Sequence, residues 1–433
     1  MKSRIRLFLE ILESRQRIAV ALLMFSYLML SVFTISVNDY EIVEPDDAYY
    51  FLLIARNISE GRGFIELYNY AYRPPLFPAF LSIFFFLGIE SLIAVKVLTA
   101  AVFSTSIILV WRICRKMFGG LSGVIGGALF TISPWFITMP NYLLSENLFI
   151  PLFLLFALGL LRAFRNGRSS SYALAGVFCG LAALTREIML FVPVILLIVL
   201  LICKDKSFTL KKLLLLALLQ AMIIAPWTAR NYTIFNRFIP ISTNSWINLY
   251  IGNNPVYENI YSFRWTIPAG TKWNEREQPE GRDEYEVMVR SREEAIRYIK
   301  SNPAAFIDRF LKKVWRFLTP HFELIGILGT NMMLKAAVTI DLLLYMLFAF
   351  SYLAYLASRI RKIRRSEPFL LFTVVFMLYL TAVAGMTYTN SRYRLPITLI
   401  FLVYTTYYAD RLLGRLAGIP RGPRRPQSPE AQK

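Results

Sequence analysis

Long apolar runs, each flanked by lysine and arginine, constrain this chain more than any other feature. The run from Ile18 to Val37 follows a basic N-terminus and is long enough to cross a bilayer as a helix. Hydrophobic residues make up 56% of the 433 residues and charged residues only 18%. That balance leaves too little polar surface to enclose a soluble globule. The sequence therefore predicts an all-α polytopic membrane protein.

The first apolar run, 18–37, is interpreted as an uncleaved first span because no small-residue cleavage site follows it. The further predicted spans are 92–111, 121–139, 147–161, 171–185, 188–203, 211–228, 332–357, 368–386 and 395–410. The apolar segment Pro75–Gly88 is short for a full crossing and is typical of a re-entrant, interfacial or buried helix. Depending on whether this segment crosses the membrane, the sequence predicts a bundle of about ten to eleven transmembrane helices.

Clusters of basic residues beside the apolar runs predict the orientation of the chain. They lie at 1–17, 112–116, 162–168, 204–212, 359–365 and from Arg411 onward. Such clusters mark cytoplasmic loops, so the net charge of +20 reflects membrane topology and no nucleic-acid partner is expected. We expect a multi-pass protein of the plasma (cytoplasmic) membrane, surrounded by membrane lipids, with both termini in the cytoplasm.

This orientation divides the chain into regions. They are a cytoplasmic basic N-terminus (1–17), an N-terminal transmembrane module (18–228) with a first external loop (38–74), an external loop region (229–331), C-terminal transmembrane helices (332–410) and a disordered cytoplasmic tail (411–433). Opposite charges nearly balance in the external loop region, which is why we place it outside. Helical spacing predicts two helices in it, at 283–300 and 303–318.

The supply of histidine and cysteine limits the chemistry. His321 is the one histidine, and the cysteines Cys114, Cys179 and Cys203 are scattered. This argues against histidine and cysteine zinc sites, disulfide frameworks and, unless His321 takes part, serine or cysteine triads. The chain also contains no glycine-rich nucleotide-binding motif, so nucleotide-linked donors are not expected. Proton transfer must rest mainly on carboxylates.

The first external loop is the most acidic part of the chain and contains E-P-D-D-A-Y-Y at 44–50. Asp46 or Asp47 caps a predicted interfacial helix, Ala48–Ser59, or acts in catalysis, and the two roles are compatible. Further along, Arg73 precedes two prolines that stiffen the backbone. It is either an interfacial anchor or a guanidinium held at the depth of a lipid phosphate.

Charged residues at the predicted ends of later spans have either a structural or a functional role. Glu146 either caps the span that follows it or takes part in catalysis. Arg186 either forms an ion pair with its neighbour Glu187 or acts in a site, since charges at a membrane boundary are commonly functional. Lys96 and Asp341, inside spans, are expected to pair with neighbours or to line a cavity.

An ordered set of motifs carries a family resemblance over about residues 15–410. The motifs are D-D-x-Y-Y, R-P-P-L-F-P, S-E-N-L-F, A-G-x-x-x-G-L-A-A-L-T-R-E, P-W-x-x-R-N-Y, G-N-N-P and R-Y-R-L-P. This order resembles the GT-C membrane glycosyltransferases, in particular the dolichyl-phosphate-mannose protein mannosyltransferases and the lipid A aminoarabinose transferases. The resemblance implies a GT-C-like helical bundle with an external, mostly helical loop region.

The same resemblance implies transfer of a sugar from a polyprenyl-phosphate-linked donor to an acceptor hydroxyl on the outer face. The implied acids are Asp46 as the base, Asp47 as its neighbour, and Glu146. The implied ligands of the donor phosphate are Arg73 and, with weaker matches, Arg230, Arg392 and Arg394. We add Arg186 to these arginines because of its position between two spans.

The chemistry of such a transfer agrees with these residue types. A hydroxyl attacking the anomeric carbon of a sugar phosphate needs one base and a stabilised anionic leaving group. Direct displacement inverts the anomeric centre, whereas retention needs a covalent intermediate or another route. The three acids offer oxygen ligands to Mg²⁺ or Mn²⁺, but arginines can neutralise the phosphate without a metal. We therefore predict metal-independent, inverting transfer with no cofactor.

Two other functions stay open at this point. A transporter or flippase for a lipid-linked saccharide would use the basic residues without breaking a bond, although the sequence shows neither inverted halves nor a continuous charged path. A ligase for a lipid-linked saccharide would share the donor chemistry. The acceptor is a protein, a lipid or a glycan.

Overall fold

The computed structural model describes residues 2–37, 42, 46–67, 69–203, 208–255, 284–320, 332–363, 367–388 and 390–419. Within these residues the regular structure is helical, apart from one isolated bridge between Glu66 and Asn69. The predicted all-α fold is confirmed. Glu44, His321 and the last residues of the predicted tail, 420–433, lie outside the described residues.

The described helices follow one another along the chain. They are α1 (Lys2–Ser14), α2 (Gln16–Val37), α3 (Asp47–Ser59), α4 (Leu76–Phe86), α5 (Leu92–Phe118), α6 (Gly120–Ile132), α7 (Pro134–Thr138), α8 (Glu146–Asn166), α9 (Ser169–Thr185), α10 (Val192–Ile202), α11 (Leu210–Phe235), α12 (Asn244–Gly252), α13 (Glu284–Ser301), α14 (Pro303–Leu318), α15 (Met332–Arg359), α16 (Pro368–Met386) and α17 (Leu395–Leu416). Short 3₁₀ segments cover Met139–Tyr142, Glu187–Met189 and Ser391–Arg394.

Six described helices are long and apolar enough to cross a membrane: α2, α5, α8, α11, the Lys335–Arg359 part of α15, and α16. The bent pair of Gly120–Ile132 and Pro134–Tyr142 would make a seventh span. Helices α4 and α9 and the segment Glu187–Ile202 are apolar but shorter. The protein is thus a multi-helix membrane protein, while the number of ten to eleven spans stays a prediction.

The predicted span 121–139 is not one continuous helix, which corrects the sequence interpretation. Helix α6 ends at Ile132, and α7 starts after a bend of 60°. Pro134 has no N–H and disfavours a helical conformation in Ser133, whose backbone is extended (φ −74°, ψ 116°). Asp341 of α15 accepts hydrogen bonds at this break from Ser133 Oγ (3.1 Å) and from the backbone N–H of Trp135 (3.4 Å). The carboxylate thus satisfies polar groups that the bend sets free.

Small residues bring α9 close to α11. A Cβ atom at Gly176 would lie 2.4 Å from the carbonyl oxygen of Leu216, and one at Gly180 would lie 2.7 Å from Ile223 Cβ. Close approach through small residues four positions apart is a common way to pack membrane helices. The A-G-x-x-x-G part of the family motif is therefore explained by helix packing.

The helices place the acidic and basic features at opposite ends of the bundle. The α5–α6, α8–α9 and α15–α16 connections lie at one end, where Lys116, Arg162, Arg165 and Glu367 are neighbours. We call this the basic end. The other end, here the site end, holds the first residues of α3, α8 and α17 and the last residues of α9. The arrangement matches the separation of charge that the sequence predicts.

Helices α12, α13 and α14 lie at the site end, and α13 and α14 confirm the predicted helices at 283–300 and 303–318. Gly252 ends α12 against the backbone of Thr387, where a Cβ would lie 2.7 Å from the carbonyl carbon. The G-N-N-P motif thus marks a close approach that only glycine permits. At the far end of the chain, α17 continues to Leu416, beyond the predicted start of the tail at 411.

Candidate active site

Asp47 is the first residue of α3, the helix that follows the first predicted span. The helix buries Ala48, Phe51 and Ala55 against Phe77 and Leu81 of α4, and this packing fixes the helix start. The predicted helix Ala48–Ser59 is confirmed, one residue longer. Asp46 precedes it in an extended conformation (φ −68°, ψ 144°), and its side chain makes no capping hydrogen bond.

Asp47 connects two arginines from distant parts of the chain. Its Oδ1 accepts a hydrogen bond from Arg73 Nη1 at 2.6 Å, and its Oδ2 accepts one from Arg392 Nη2. Arg392 lies in the 3₁₀ segment before α17. The backbone N–H of Arg392 donates a hydrogen bond to the side-chain oxygen of Asn390 at 3.1 Å. The structure therefore brings the D-D, R-P-P and R-Y-R-L-P motifs to one place.

Arg73 is enclosed on all sides. Its Nε donates to Glu66 Oε1 at 3.0 Å, and only 9% of its side chain is exposed. The rings of Tyr50, Phe51 and Tyr72 lie 5.0, 5.1 and 5.5 Å from the guanidinium carbon. Two carboxylates and three rings thus hold this cation in one orientation.

Glu146 and Arg186 form a second pair beside the first. Glu146 begins α8 and is 2% exposed, and its Oε1 accepts a hydrogen bond from Arg186 Nη1 at the end of α9. Arg186 also stacks on the ring of Tyr393, 4.7 Å from its centroid. Arg392 links the two pairs, because its Nε lies 3.7 Å from Glu146 Oε1.

We refer to Asp47, Glu66, Arg73, Glu146, Arg186 and Arg392 as the charge cluster. Its three carboxylates and three guanidiniums balance in charge. Two of its polar atoms, Glu66 Oε2 and Arg392 Nε, are buried without a hydrogen-bond partner among the described residues. Unpaired buried polar atoms are costly, so their presence in a cluster of charges is a sign of a ligand site.

Burial and charge act in opposite directions on the pKa values of these carboxyls. Burial alone would raise the pKa of Asp47, but the charges and hydrogen bonds of Arg392 and Arg73 outweigh it and hold the pKa well below its usual range. For Glu66 the balance is reversed, since burial raises its pKa in spite of Arg73. Asp47 is therefore a firmly ionised partner of two arginines and a poor proton acceptor.

Glu66 is not among the site residues predicted from the sequence. It lies seven residues before Arg73 in an irregular loop, and no motif or periodicity marks it. The loop folds back through a short backbone bridge between Glu66 and Asn69. This fold brings the Glu66 carboxylate to the guanidinium of Arg73. The acidic composition of the first loop was the one available signal.

Three predicted site residues lie outside the charge cluster. Arg230 donates hydrogen bonds to the backbone carbonyls of Tyr70 and Phe64, the latter at 3.0 Å. Arg394 points away, donating to the carbonyls of Thr319 and Phe317. Asp46 immediately precedes Asp47 and is the N-cap residue of α3.

Arg186 is paired with Glu146 rather than with its neighbour Glu187. Glu187 instead accepts a hydrogen bond from Ser245 of α12. The alternative of a local Arg186–Glu187 pair that fixes the turn is therefore wrong. The boundary arginine faces the charge cluster.

Guanidiniums occupy the carboxylates of the cluster that could otherwise bind a divalent cation. Both oxygens of Asp47 already accept hydrogen bonds from guanidiniums, and Glu146 is engaged by Arg186. Arg392 lies between these two carboxylates, in the place that a bridging cation would need. No group of three histidine, cysteine, aspartate or glutamate residues suited to a metal occurs in the part of the chain described.

Comparisons with known proteins agree with this architecture. The family model for dolichyl-phosphate-mannose-protein mannosyltransferase matches residues 72–229. A search of curated protein sequences gave no match.

Solved structures of an archaeal enzyme have a similar fold. The oligosaccharyltransferase AglB from Archaeoglobus fulgidus, in complex with an inhibitory peptide and a dolichol-phosphate, matches with a TM-score of 0.58 and 14% identity, over 95% of this chain and 53% of that chain. The Archaeoglobus fulgidus oligosaccharyltransferase tethered to an acceptor peptide with the NVT sequon matches with a TM-score of 0.53 and 16% identity, over 92% and 50%. This chain thus spans about half the length of the enzymes it resembles.

The likeness to the solved structures concerns the fold, and the family match concerns the segment that contains Arg73, Glu146 and Arg186. The two findings agree with the order of motifs in the sequence. The chain therefore has a fold similar to that of the archaeal oligosaccharyltransferase, and its residues 72–229 match the dolichyl-phosphate-mannose-protein mannosyltransferase family.

Proposed function

We propose that this protein is a membrane glycosyltransferase that moves a sugar from a polyprenyl-phosphate-linked donor to an acceptor hydroxyl at the site end of the bundle. The observation that carries the proposal is the link from Arg73 through Asp47 to Arg392, with Arg186 and Glu146 beside it. The solved relatives carry a dolichol-phosphate or an acceptor peptide, which supports a lipid-linked donor and a protein acceptor.

Arg392 and Arg186 are the arginines that fit the donor phosphate. A guanidinium has five N–H donors in a planar fork, and each of these residues uses few of them on the cluster's carboxylates. Arg392 Nε lies 3.7 Å from Glu146 Oε1 and has no hydrogen-bond partner among the described residues, so the cluster does not use all of the donors of this guanidinium. Arg73, which is held by two carboxylates, orients Asp47 and adds positive charge.

Asp46 is the proposed base. Asp47 cannot readily take a proton, because two arginines stabilise its ionised form. The adjacent carboxyl of Asp46 stands at the same helix start, next to Asp47 in the chain, and is the acid that the family resemblance implies as the base. Glu146 is assigned to hold Arg186 and Arg392 in place.

The reaction then proceeds as a single displacement. The acceptor hydroxyl gives its proton to Asp46 while its oxygen forms a bond to the anomeric carbon. The bond from that carbon to the phosphate oxygen breaks, and polyprenyl phosphate leaves as an anion stabilised by Arg392 and Arg186. One displacement inverts the anomeric centre, and no covalent intermediate is needed.

The orientation follows from the separation of charge. The site end carries the acidic first loop, and the basic end carries the clusters that remain in the cytoplasm under the positive-inside rule. We therefore propose that the active site faces the external side of the plasma membrane and that both termini are cytoplasmic.

Incubation of the purified protein with labelled polyprenyl-phosphate sugar tests the function. We expect labelled product and free polyprenyl phosphate, formed together in equal amounts. Movement of intact donor across a vesicle membrane without bond cleavage would instead show a flippase. Transfer of an oligosaccharide block in preference to one sugar would show a ligase.

A further inference from the structure

A second buried carboxylate holds the backbone that leads to Arg73. Glu284 is the first residue of α13 and is 6% exposed. Its Oε2 accepts a hydrogen bond from the backbone N–H of Tyr70 at 2.6 Å, and the N–H of Ala71 lies 3.2 and 3.3 Å from its two oxygens. Thr243 Oγ1 donates to Oε1 at 2.6 Å. A carboxylate 211 positions later in the chain than Arg73 thus fixes the residues just before it.

The carbonyls of the same stretch are held by other partners. Arg230 donates to the carbonyls of Tyr70 and Phe64, and the backbone N–H of Thr243 donates to the carbonyl of Ala71 at 3.0 Å. Arg230 itself stacks on Trp227, 4.5 Å from the ring centroid. We call Arg230, Thr243 and Glu284 the loop clamp, because together they fix both the donors and the acceptors of the loop backbone.

The clamp depends on the negative charge of Glu284. All of its described hydrogen bonds come from N–H or O–H donors. A neutral amide at this position would turn an NH₂ group towards one of these donors, and a buried donor would lose its acceptor. Burial raises the pKa of Glu284, and the hydrogen bonds from Thr243, Tyr70 and Ala71 and the charge of Arg230 act against that rise. The site is therefore built for a carboxylate.

We propose that Glu284 is a positioning residue, which sets the orientation of the Arg73 guanidinium, and through it Asp47 and Arg392, by fixing the backbone at Tyr70 and Ala71. The inference rests on the proposed function. It gives Arg230 a role in the loop clamp, distinct from the direct contact with donor phosphate that the resemblance implied. It also makes α13 part of the donor site without contact between α13 and the donor.

Hydrogen exchange tests the clamp without reference to activity. Glu284→Gln is expected to raise the exchange rate of the peptide that contains the Tyr70 and Ala71 amides by about tenfold or more, because each loses a charge-assisted hydrogen bond. The control is Glu286→Gln, an exposed carboxylate on the same helix, which should leave exchange unchanged. Unchanged exchange at 70–71 in Glu284→Gln overturns the clamp.

Kinetics test the positioning role. We expect Glu284→Gln to raise the KM for the donor by about tenfold with the acceptor KM unchanged, and Glu284→Asp to recover part of the loss. A merely structural role would lower the amount of active enzyme, and hence the apparent kcat, without changing the donor KM. Arg230→Gln removes the hydrogen bonds to the two carbonyls and should also raise the donor KM while the acceptor KM stays unchanged. This variant replaces Glu284→Gln if Glu284→Gln does not fold.

The outcomes separate the inference from the proposed function. Faster exchange with an unchanged donor KM would overturn the positioning role and leave the transferase standing. If the wild-type protein transfers no sugar, the proposed function fails and the positioning role fails with it, whatever the exchange result.

Discussion

The guanidinium of Arg392 donates a hydrogen bond to the carboxylate of Asp47, a residue 345 positions earlier in the chain. The same carboxylate accepts from Arg73, and the same guanidinium lies 3.7 Å from Glu146. One residue pair thus joins the start of α3, the start of α8 and the start of α17.

Asp47→Asn should lower both stability and activity. The substitution removes the charge that two buried arginines share, and breaking such a pair costs about 3–5 kcal/mol. Thermal unfolding in detergent measures the effect, with Asp308→Asn as a control at an exposed ion pair. A melting temperature equal to that of the control would show that Asp47 does not organise the cluster.

Arg392→Lys should raise the donor KM by at least about tenfold, because an ammonium cannot contact two carboxylates and a phosphate in one plane. Arg394→Lys is the matched control. Arg394 lies two residues on in the same 3₁₀ segment and binds the carbonyls of Thr319 and Phe317. We expect the control to lower stability with little effect on donor KM. Equal KM values for the two variants would remove Arg392 from the donor site.

Glu146 and Arg186 should show strong coupling in a double-mutant cycle. Each single change, Glu146→Gln or Arg186→Gln, leaves the other charge poorly compensated in a buried position. The double variant should therefore be more stable than the sum of the single losses predicts, by about 1–3 kcal/mol. Additive losses would mean that the pair contributes nothing beyond its separate residues.

The fold could be predicted from sequence because its signals are local. Apolar length and basic flanks predict α2, α5, α8 and α11, and helical spacing predicts α13 and α14. The break before Pro134 was missed because an apolar run with one internal proline still reads as a span. Its stabilising partner, Asp341, lies on a distant helix.

The site could be predicted in part. The ordered motifs identified Asp47, Arg73, Glu146 and Arg392 as candidates, and a position between two spans added Arg186. The structure brings these residues together. Motifs do not show which residue pairs with which. Arg230 and Arg394 also belong to the motifs, yet their guanidiniums bind backbone carbonyls outside the cluster. The direction of each side chain depends on tertiary packing.

Lys313 gives a prediction about pH. Burial, and secondarily the nearby Arg309, lower the pKa of this α14 lysine to about 7. Its ammonium contacts the carbonyls of Gly252 and Met386 at 3.3 and 3.4 Å. Between pH 7 and 10.5 the unfolded chain binds this proton more tightly than the folded chain, so the stability of the wild type should rise with pH across that window.

The comparison with Lys313→Met isolates this effect. The stability of the wild type relative to the variant should increase by on the order of 3 kcal/mol between pH 7 and 10 and should be constant below pH 6. Thermal unfolding in one detergent across the pH range measures the difference. A difference that does not change with pH would show that Lys313 titrates as an exposed lysine does.

Removal of divalent metal should leave transfer intact. The arginines occupy the carboxylate oxygens that a cation would need, and they supply the positive charge that the leaving phosphate requires. Rates measured after dialysis against a chelator should equal those before. Activity that a chelator abolishes and Mg²⁺ or Mn²⁺ restores would show that a metal takes part.

The most direct measurement is the rate of sugar transfer by Asp46→Asn beside the wild type, with purified protein and a polyprenyl-phosphate sugar. We predict a fall in kcat of about 10²–10⁴, the range for loss of a general base, with the donor KM largely unchanged. The exposed-carboxylate variant Asp308→Asn should transfer at the wild-type rate. Undiminished transfer by Asp46→Asn would contradict the account at its centre.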